Sequence, residues 1–230
     1  MIIQCLGTVN EMNSAREFID EIKTKGKSEF SIKTALKNMG ILVPRSFIIN
    51  DISEKLDISY PVVLKVSDES ILHKSDVGGV KIGIGTFEEL KNQLSKMKTL
   101  FPNSQFLVEE MVEEGIEIIV GLSRDNVFGL SIMLGMGGTM TEIYHDVTFR
   151  LIPVNRIDCN HMIDEVSIGR FTGNGFRGHR IDREALINFI MKISSIGEVG
   201  GEFIDQLDLN PIKIADSKIY VLDAKIIGKL

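Results

Sequence analysis

Tyr60-Pro61-Val62-Val63-Leu64-Lys65, followed after a short polar interval by Ile71-Leu72-His73-Lys74-Ser75-Asp76-Val77-Gly78-Gly79-Val80-Lys81, is the stretch that decides the fold. Tyr60 to Ser67 and Gly79 to Gly85 are rich in Val and Ile and read as strands flanking a polar loop, Asp68 to Gly78. The two-residue period of a strand puts Val62, Leu64 and Val66 on one face and Val63 and Lys65 on the other. A lysine in the middle of such a strand is either an edge residue that snorkels to water or a fixed positive charge facing an anionic ligand. The Gly78-Gly79 pair is an ordinary turn, or a place where backbone amides approach a phosphate closely. His73 is a solvated loop residue, or a nucleophile toward a phosphoryl group, since neutral imidazole is well populated near pH 7.

Working outward, Ser14 to Lys25 and Ser31 to Met39 carry helical periodicity, with Ser31 as N-cap and Gly40 as the stop of the second. Ile41 to Asn50 reads as a short strand. Glu88 to Leu100 is a helix ended by Pro102, and Phe106 to Met111, Ile116 to Leu122 and Val127 to Gly135 are strands. Thr139 to Val154 reads as one long strand, with Ile143, Val147, Phe149 and Leu151 on one face and Glu142, Asp146, Thr148 and Arg150 on a solvent-exposed other. Asp182 caps a helix over Asp182 to Ile196. Asp205 to Ile227 reads as a hairpin turning at Asp216-Ser217. This alternation, with antiparallel signals, predicts an α+β fold in two lobes.

In that hairpin Asp208 and Asn210 share a face, and a symmetric turn pairs residues whose numbers sum to 433, which sets Asn210 opposite Asp223. Directly opposed side chains lie roughly 5 Å apart, with Asp208 diagonal to them. Three oxygen-bearing side chains suit magnesium, which keeps several waters and takes one or two carboxylates. Turn punctuation is the alternative for Asp and Asn, but it leaves Asp223 within Tyr220-Val221-Leu222-Asp223-Ala224 unexplained. Glu109-Glu110-Met111-Val112 reads either as a hinge whose backbone meets an adenine edge or as surface acids, and Glu117 lies one strand further on.

Composition excludes several classes. The 230 residues carry 26 Lys and Arg against 32 Asp and Glu, a net charge of −6 that leaves no excess of cations to neutralise a nucleic-acid backbone. The longest apolar stretch, Val127 to Gly138, is too short and glycine-rich to span a bilayer. Met1 to Asn10 has no secretory signal pattern, and Cys5 and Cys159 have no metal or disulfide spacing, so a reduced cytoplasmic protein is expected.

These motifs, in this order, resemble the beta subunits of ADP-forming (NDP-forming) acyl-CoA or acetyl-CoA synthetases, relatives of the succinyl-CoA synthetase beta subunit. The similarity runs from about Ser14 onward. Its most specific piece is the quoted 60–65 and 71–81 stretch. Val120-Gly121, Gly135-Met136-Gly137-Gly138, Asp146-Val147-Thr148-Phe149-Arg150, Gly175-Phe176-Arg177-Gly178, Asp208-Leu209-Asn210-Pro211 and Leu222-Asp223-Ala224-Lys225 complete it.

The resemblance implies an ATP-grasp fold in one domain over 1–230, with a lid-side lobe at about 30–111 and a magnesium-side lobe at about 112–230 plus the N-terminal helix. It implies that Lys65, Gly78 and Gly79 meet ATP or ADP phosphates, Glu109, Glu110, Met111 and Val112 the adenine, and Glu117 the ribose. Asn210 and Asp223 then hold Mg2+, with Asp208 where succinyl-CoA synthetase has a glutamate. His73, where that relative has a glycine- and arginine-rich segment, then carries the phosphoryl group. Lys81, Glu142, Asp146, Arg150 and Arg177 become candidate phosphate contacts. The implied reaction is acyl-CoA plus ADP plus phosphate giving acid, CoA and ATP, of which this chain performs the nucleotide half. A CoA-binding alpha subunit performs the rest, in a hetero-oligomer such as α2β2. The alternatives are another ATP-grasp carboxylate ligase and a non-catalytic nucleotide-binding regulatory module.

Overall fold

A computed structural model describes residues 9–68, 71, 74–112, 114–137, 146–215 and 218–229. His73, Glu142 and the turn residues Asp216 and Ser217 therefore lie outside the described residues. The chain folds into two compact units. The smaller comprises Ser28–Phe30 and the described residues of Pro44–Glu113; the larger comprises the described residues up to Lys27, Ser31–Val43, and those of Glu114–Leu230.

The smaller unit holds a four-stranded antiparallel sheet in the order β1 (Ser46–Ile49), β4 (Gln105–Glu110), β2 (Val62–Ser67), β3 (Val80–Ile84). Val62, Leu64 and Val66 share one face with Phe106 and Val108, and these bury against Leu90, Leu94 and Met97 of helix α3 (Phe87–Leu100). Thr86 caps that helix by accepting the Glu89 N–H. The opposite face of β2 and β4 carries Lys65 and Glu109. β2 pairs Val63 with Glu109 and Lys65 with Leu107, so Lys65 and Glu109 are diagonal neighbours on it.

The larger unit is built on a second antiparallel sheet, ordered β10 (Lys225–Gly228), β8 (Ile204–Ala215), β5 (Ile116–Asp125), β6 (Gly129–Met136), β7 (Val147–Leu151), with β9 (Lys218–Val221) also pairing β8. Its core joins Ile118, Val120, Leu122, Ile132 and Leu207 of the sheet to Phe18 and Ile22 of α1 (Val9–Lys25) and Ile187, Ile190 and Ile193 of α5 (Arg183–Gly200). Asp182 caps α5 by accepting the N–H groups of Glu184 and Ala185. Among the described residues no helix is long and apolar enough to cross a membrane.

Four expectations need correction. Helix α2 spans Glu29–Asn38, so Ser31 is inside it rather than its cap; the Ser31 hydroxyl donates to the Lys25 carbonyl at 3.2 Å. An acid at the first turn suits the helix dipole, which is why Glu29 opens the helix. The strand expected over Ile41 to Asn50 is confined to Ser46–Ile49. Of the single long strand expected over Thr139 to Val154, the described residues form only the short β7, and helix α4 (Arg156–Glu165) follows it. The capping box of Asn155 and Asp158 starts that helix, a signal present in the sequence.

The faces of β7 are also the reverse of expectation: Phe149 and Leu151 are about half exposed, at 49% and 54%, while Thr148 is buried. The reason is α4, which supplies Glu165 to the polar face. There the Thr148 hydroxyl and the Arg150 guanidinium both donate to the Glu165 carboxylate.

Candidate functional site

Lys65 is the most constrained of the expected site residues. Its ammonium lies 2.7 Å from Glu29 and 2.8 Å from Glu109, and the three side chains are almost fully enclosed. Glu29, from the first turn of α2, also receives Lys74 at 2.6 Å. Burial of charge costs several kcal/mol per ion unless the partners are close and hydrogen-bonded, and this cluster satisfies that demand by pairing two lysines with two glutamates.

The glycine pair is placed by close approach. The Gly79 N–H donates to the Lys74 carbonyl at 2.7 Å, and the Gly79 carbonyl accepts from Val66 N–H at 2.8 Å. A Cβ on Gly79 would stand 2.6 Å from a Val66 methyl and 2.9 Å from the Lys74 carbonyl oxygen, so no other residue lets this turn close on β2. Gly78, at φ +74°, takes the left-handed conformation that glycine adopts without strain. Lys81 stands on β3 opposite Leu64.

At the end of β4 the expected adenine-reading segment is partly committed to the protein. Glu110 N–H donates to the Arg45 carbonyl and Met111 N–H to the Pro61 carbonyl, each at 3.0 Å, while the Glu110 carboxylate accepts Ser59 N–H. Glu109 turns its carboxylate onto Lys65, and Val112 follows the strand's end. Glu117 in β5 pairs with Lys213 of β8, their side chains 3.4 Å apart, and its carbonyl accepts Gly137 N–H at 2.7 Å.

The candidate metal residues belong to the larger unit. Strands β8 and β9 pair with a register sum of 433, from Ala215 with Lys218 to Ile212 with Val221. The same sum resumes between β8 and β10 at Asp208 with Lys225. Asp223, expected inside a strand, instead occupies the link between β9 and β10, where its carboxylate accepts Ala224 N–H at 2.8 Å. Asn210 is exposed at the cis Asn210–Pro211 bond, and the Pro211 carbonyl accepts Leu222 N–H.

Burial pushes the Asp208 carboxyl above the usual carboxylate range, and the nearby negative charge of Asp223 pushes it the same way, with Lys225 opposing. The Asp208 and Asp223 carboxylates and the Asn210 amide offer oxygen donors only, the kind a hard divalent cation takes. Among the described residues no three His, Cys, Asp or Glu side chains converge as a metal-binding group, so a cation here would rely on Asn210 and water for its remaining ligands.

Three residues considered for phosphate contact are engaged by the protein itself. Both Asp146 carboxylate oxygens accept Ser167 N–H, at 3.1 and 3.0 Å, at the start of the 3-10 turn Ser167–Phe171. Arg150 is held by Glu165, whose own carboxyl is kept below its usual range by that guanidinium and by Thr148. Arg177, at φ 51°, lies over the Phe176 ring.

Sequence reasoning passed over Glu29, Lys33 and Lys74. Lys33, one turn after Glu29 on α2, is 1% exposed and donates to the Leu222 carbonyl, beside Asp223. Positions 29, 32, 33 and 36 share a helix face, and Ile32 and Leu36 are both fully buried. Charged residues at two positions of an apolar stripe were the available signal.

A family model described as an ATP-grasp domain matches residues 17–227. The chain is 33% identical over 232 residues to the beta subunit of acetate–CoA ligase [ADP-forming] II from Pyrococcus furiosus, covering 94% of this chain and 98% of that one. It is 35% identical over 234 residues to acetate–CoA ligase [ADP-forming] I of Archaeoglobus fulgidus, of whose length it spans only 33%. Among solved structures, dinucleotide-forming acetyl-coenzyme A synthetase 1 of Ca. Korarchaeum cryptofilum, with coenzyme A and Ca-AMPCP, matches with a TM-score of 0.80 at 35% identity, covering 93% of this chain and 99% of that one. Another structure of that enzyme holds Mg-AMPPCP and is described with its phosphohistidine segment pointing towards the nucleotide binding site, at a TM-score of 0.76 and 34% identity over 94% and 99% of the two chains.

Proposed function

The chain belongs to the ATP-grasp domain family, and we propose that it is the nucleotide-binding beta subunit of an ADP-forming acyl-CoA synthetase, moving a phosphoryl group between His73 and ADP. The observation that carries this reading is Lys65, a lysine enclosed at the centre of a strand beside a glycine turn only glycine can make. The relatives named as beta subunits support a CoA-binding alpha partner, and the α2β2 assembly and cytoplasmic location are part of the same proposal.

In the forward direction the phosphohistidine P–N bond breaks as a terminal oxygen of ADP bonds to phosphorus, and the imidazole leaves as a neutral ring after taking up a proton. Charge on the transferring group is the main obstacle in such chemistry, and fixed cations lower it most. Lys65, Gly78 and Gly79 supply the phosphate contacts in the smaller unit. Val112 and the backbone from Glu109 meet the base, and Glu117 meets the ribose. Asn210 and Asp223, with Asp208 beside them, would hold magnesium, which offsets phosphate charge when bound. The acyl chemistry belongs to the partner in this reading, which the chain's match to only 33% of the length of the longer Archaeoglobus relative supports.

Incubation with γ-labelled ATP and Mg2+ tests the carrier. Wild type is expected to acquire acid-labile, base-stable label with release of ADP, and His73→Asn to acquire none while still binding ADP. Equal labelling of the two proteins would end the assignment.

A further inference from the structure

Glu29 lies outside every motif that suggested nucleotide chemistry, yet it is the hub of the smaller unit's charged cluster. One of its carboxylate oxygens is 2.7 Å from the Lys65 ammonium and the other is 2.6 Å from that of Lys74. The Glu29 side chain is 3% exposed, and Lys74, at 15%, is not the loose loop lysine its sequence context suggests. Its main chain is pinned as well, because its carbonyl accepts the Gly79 N–H while Gly79 itself bonds β2 through Val66. Two ammonium groups are thus brought to one carboxylate by two independent elements, a strand and a glycine-closed turn.

Lysine ammonium groups are compact point charges with three donors each, and they repel one another unless an anion stands between them. In this fold the anion is Glu29. A phosphate group offers the same oxygen geometry, more negative charge and more acceptors, so it competes for both lysines at once.

Resting on the nucleotide reading above, we propose that Lys74 is a second phosphate-binding cation beside Lys65, and that Glu29 is a positioning residue holding both lysines until a phosphate displaces it. Glu29 then acts as a built-in competitor. It keeps the two cations converged and buried without a ligand, at the expense of affinity for one. The Glu109 contact keeps Lys65 oriented when Glu29 lets go.

Calorimetric titration of the full chain with ADP and Mg2+ tests this in four variants. Lys65→Met must weaken binding; if it matches wild type, the nucleotide reading itself is wrong. Lys74→Met is expected to weaken binding about tenfold, the size of one lost charge-assisted hydrogen bond. Glu29→Gln, which keeps shape and removes charge, is expected to tighten binding about three- to tenfold, because the cluster then carries an uncompensated positive charge. Should Glu29→Gln fail to fold, Glu29→Asp draws the carboxylate back by one methylene and is expected to tighten binding in the same direction. A merely structural role lowers the fraction of competent protein, read as stoichiometry, and leaves the dissociation constant of that fraction unchanged. The proposal is overturned if Lys74→Met binds like wild type while Lys65→Met is weakened, or if the folded Glu29 variant binds ADP no more tightly than wild type.

Discussion

In the smaller unit, Lys65 and Lys74 close on Glu29 and Glu109 so that two positive and two negative charges answer one another within 2.8 Å. In the larger unit, Asp208 and Asp223 repel each other, and Lys225 relieves that only in part. Both are clusters of charge built on sheet strands, yet they are prepared in opposite ways. The first is already neutral, so a ligand must exchange for a carboxylate that is in place. The second stores repulsion, so a cation entering it removes an unfavourable interaction.

The sharpest way to break this contrast is Lys65→Ala. Removing one member of a buried ionic cluster leaves its partners charged and desolvated, with a typical cost of about 3–5 kcal/mol. Urea unfolding should show a loss of that order, and ADP binding should disappear together with it. A loss below about 1 kcal/mol would mean that the cluster behaves as an exposed ion pair, and the contrast between the units would fail.

How much of this was legible beforehand depends on whether the signal was local. The strand expected over Tyr60 to Ser67, found at Val62–Ser67 with its faces as read, the Asp182 cap and the 433 register from Ile212 to Val221 all follow from periodicity and turn symmetry. The smaller details that failed are those set by a distant element. Phe149 and Leu151 alternate with polar residues as a buried face should, but α4 covers the opposite side and reverses them. Asp223 falls outside its expected strand, because β9 stops at Val221. Glu29 reaches Lys65 across 36 positions, a pairing no spacing rule supplies. His73, the expected phosphoryl carrier, and Glu142, one of the candidate phosphate contacts, lie outside the described residues.

A smaller effect sharpens the other half of the comparison. Addition of Mg2+ should tighten ADP binding in wild type, and Asp223→Ala should lose most of that gain, about 10- to 100-fold, the usual cost of disturbing a metal site. Metal-free ADP binding should be untouched, since Lys65 and its partners remain. Asn210→Ala should act in the same direction but less, because its amide contributes a neutral oxygen. If Asp223→Ala weakens binding equally with and without Mg2+, the aspartate pair is not a cation site.

The smallest effect concerns Asp208 alone, measured in EDTA. Its folded carboxyl titrates above the ordinary value, first through burial and then through Asp223. Between the ordinary value of 3.8 and the raised one, the native state holds more protons than the unfolded chain, so this group's contribution to stability falls as pH rises through that window. Above the raised value the penalty is constant; below pH 3.8 it is absent. Asp208→Asn keeps the shape and cannot ionise, so its advantage over wild type should grow from nothing at low pH to a plateau at neutral pH. That plateau should be about 1 kcal/mol or less, the scale of a partly solvated charge interaction. Replacing EDTA with Mg2+ and ADP should shrink the plateau, because a bound cation removes in the wild type the same repulsion that the substitution removes. A plateau that is unchanged by the metal would locate the cation elsewhere, and the repulsion between Asp208 and Asp223 would then have no ligand to relieve it.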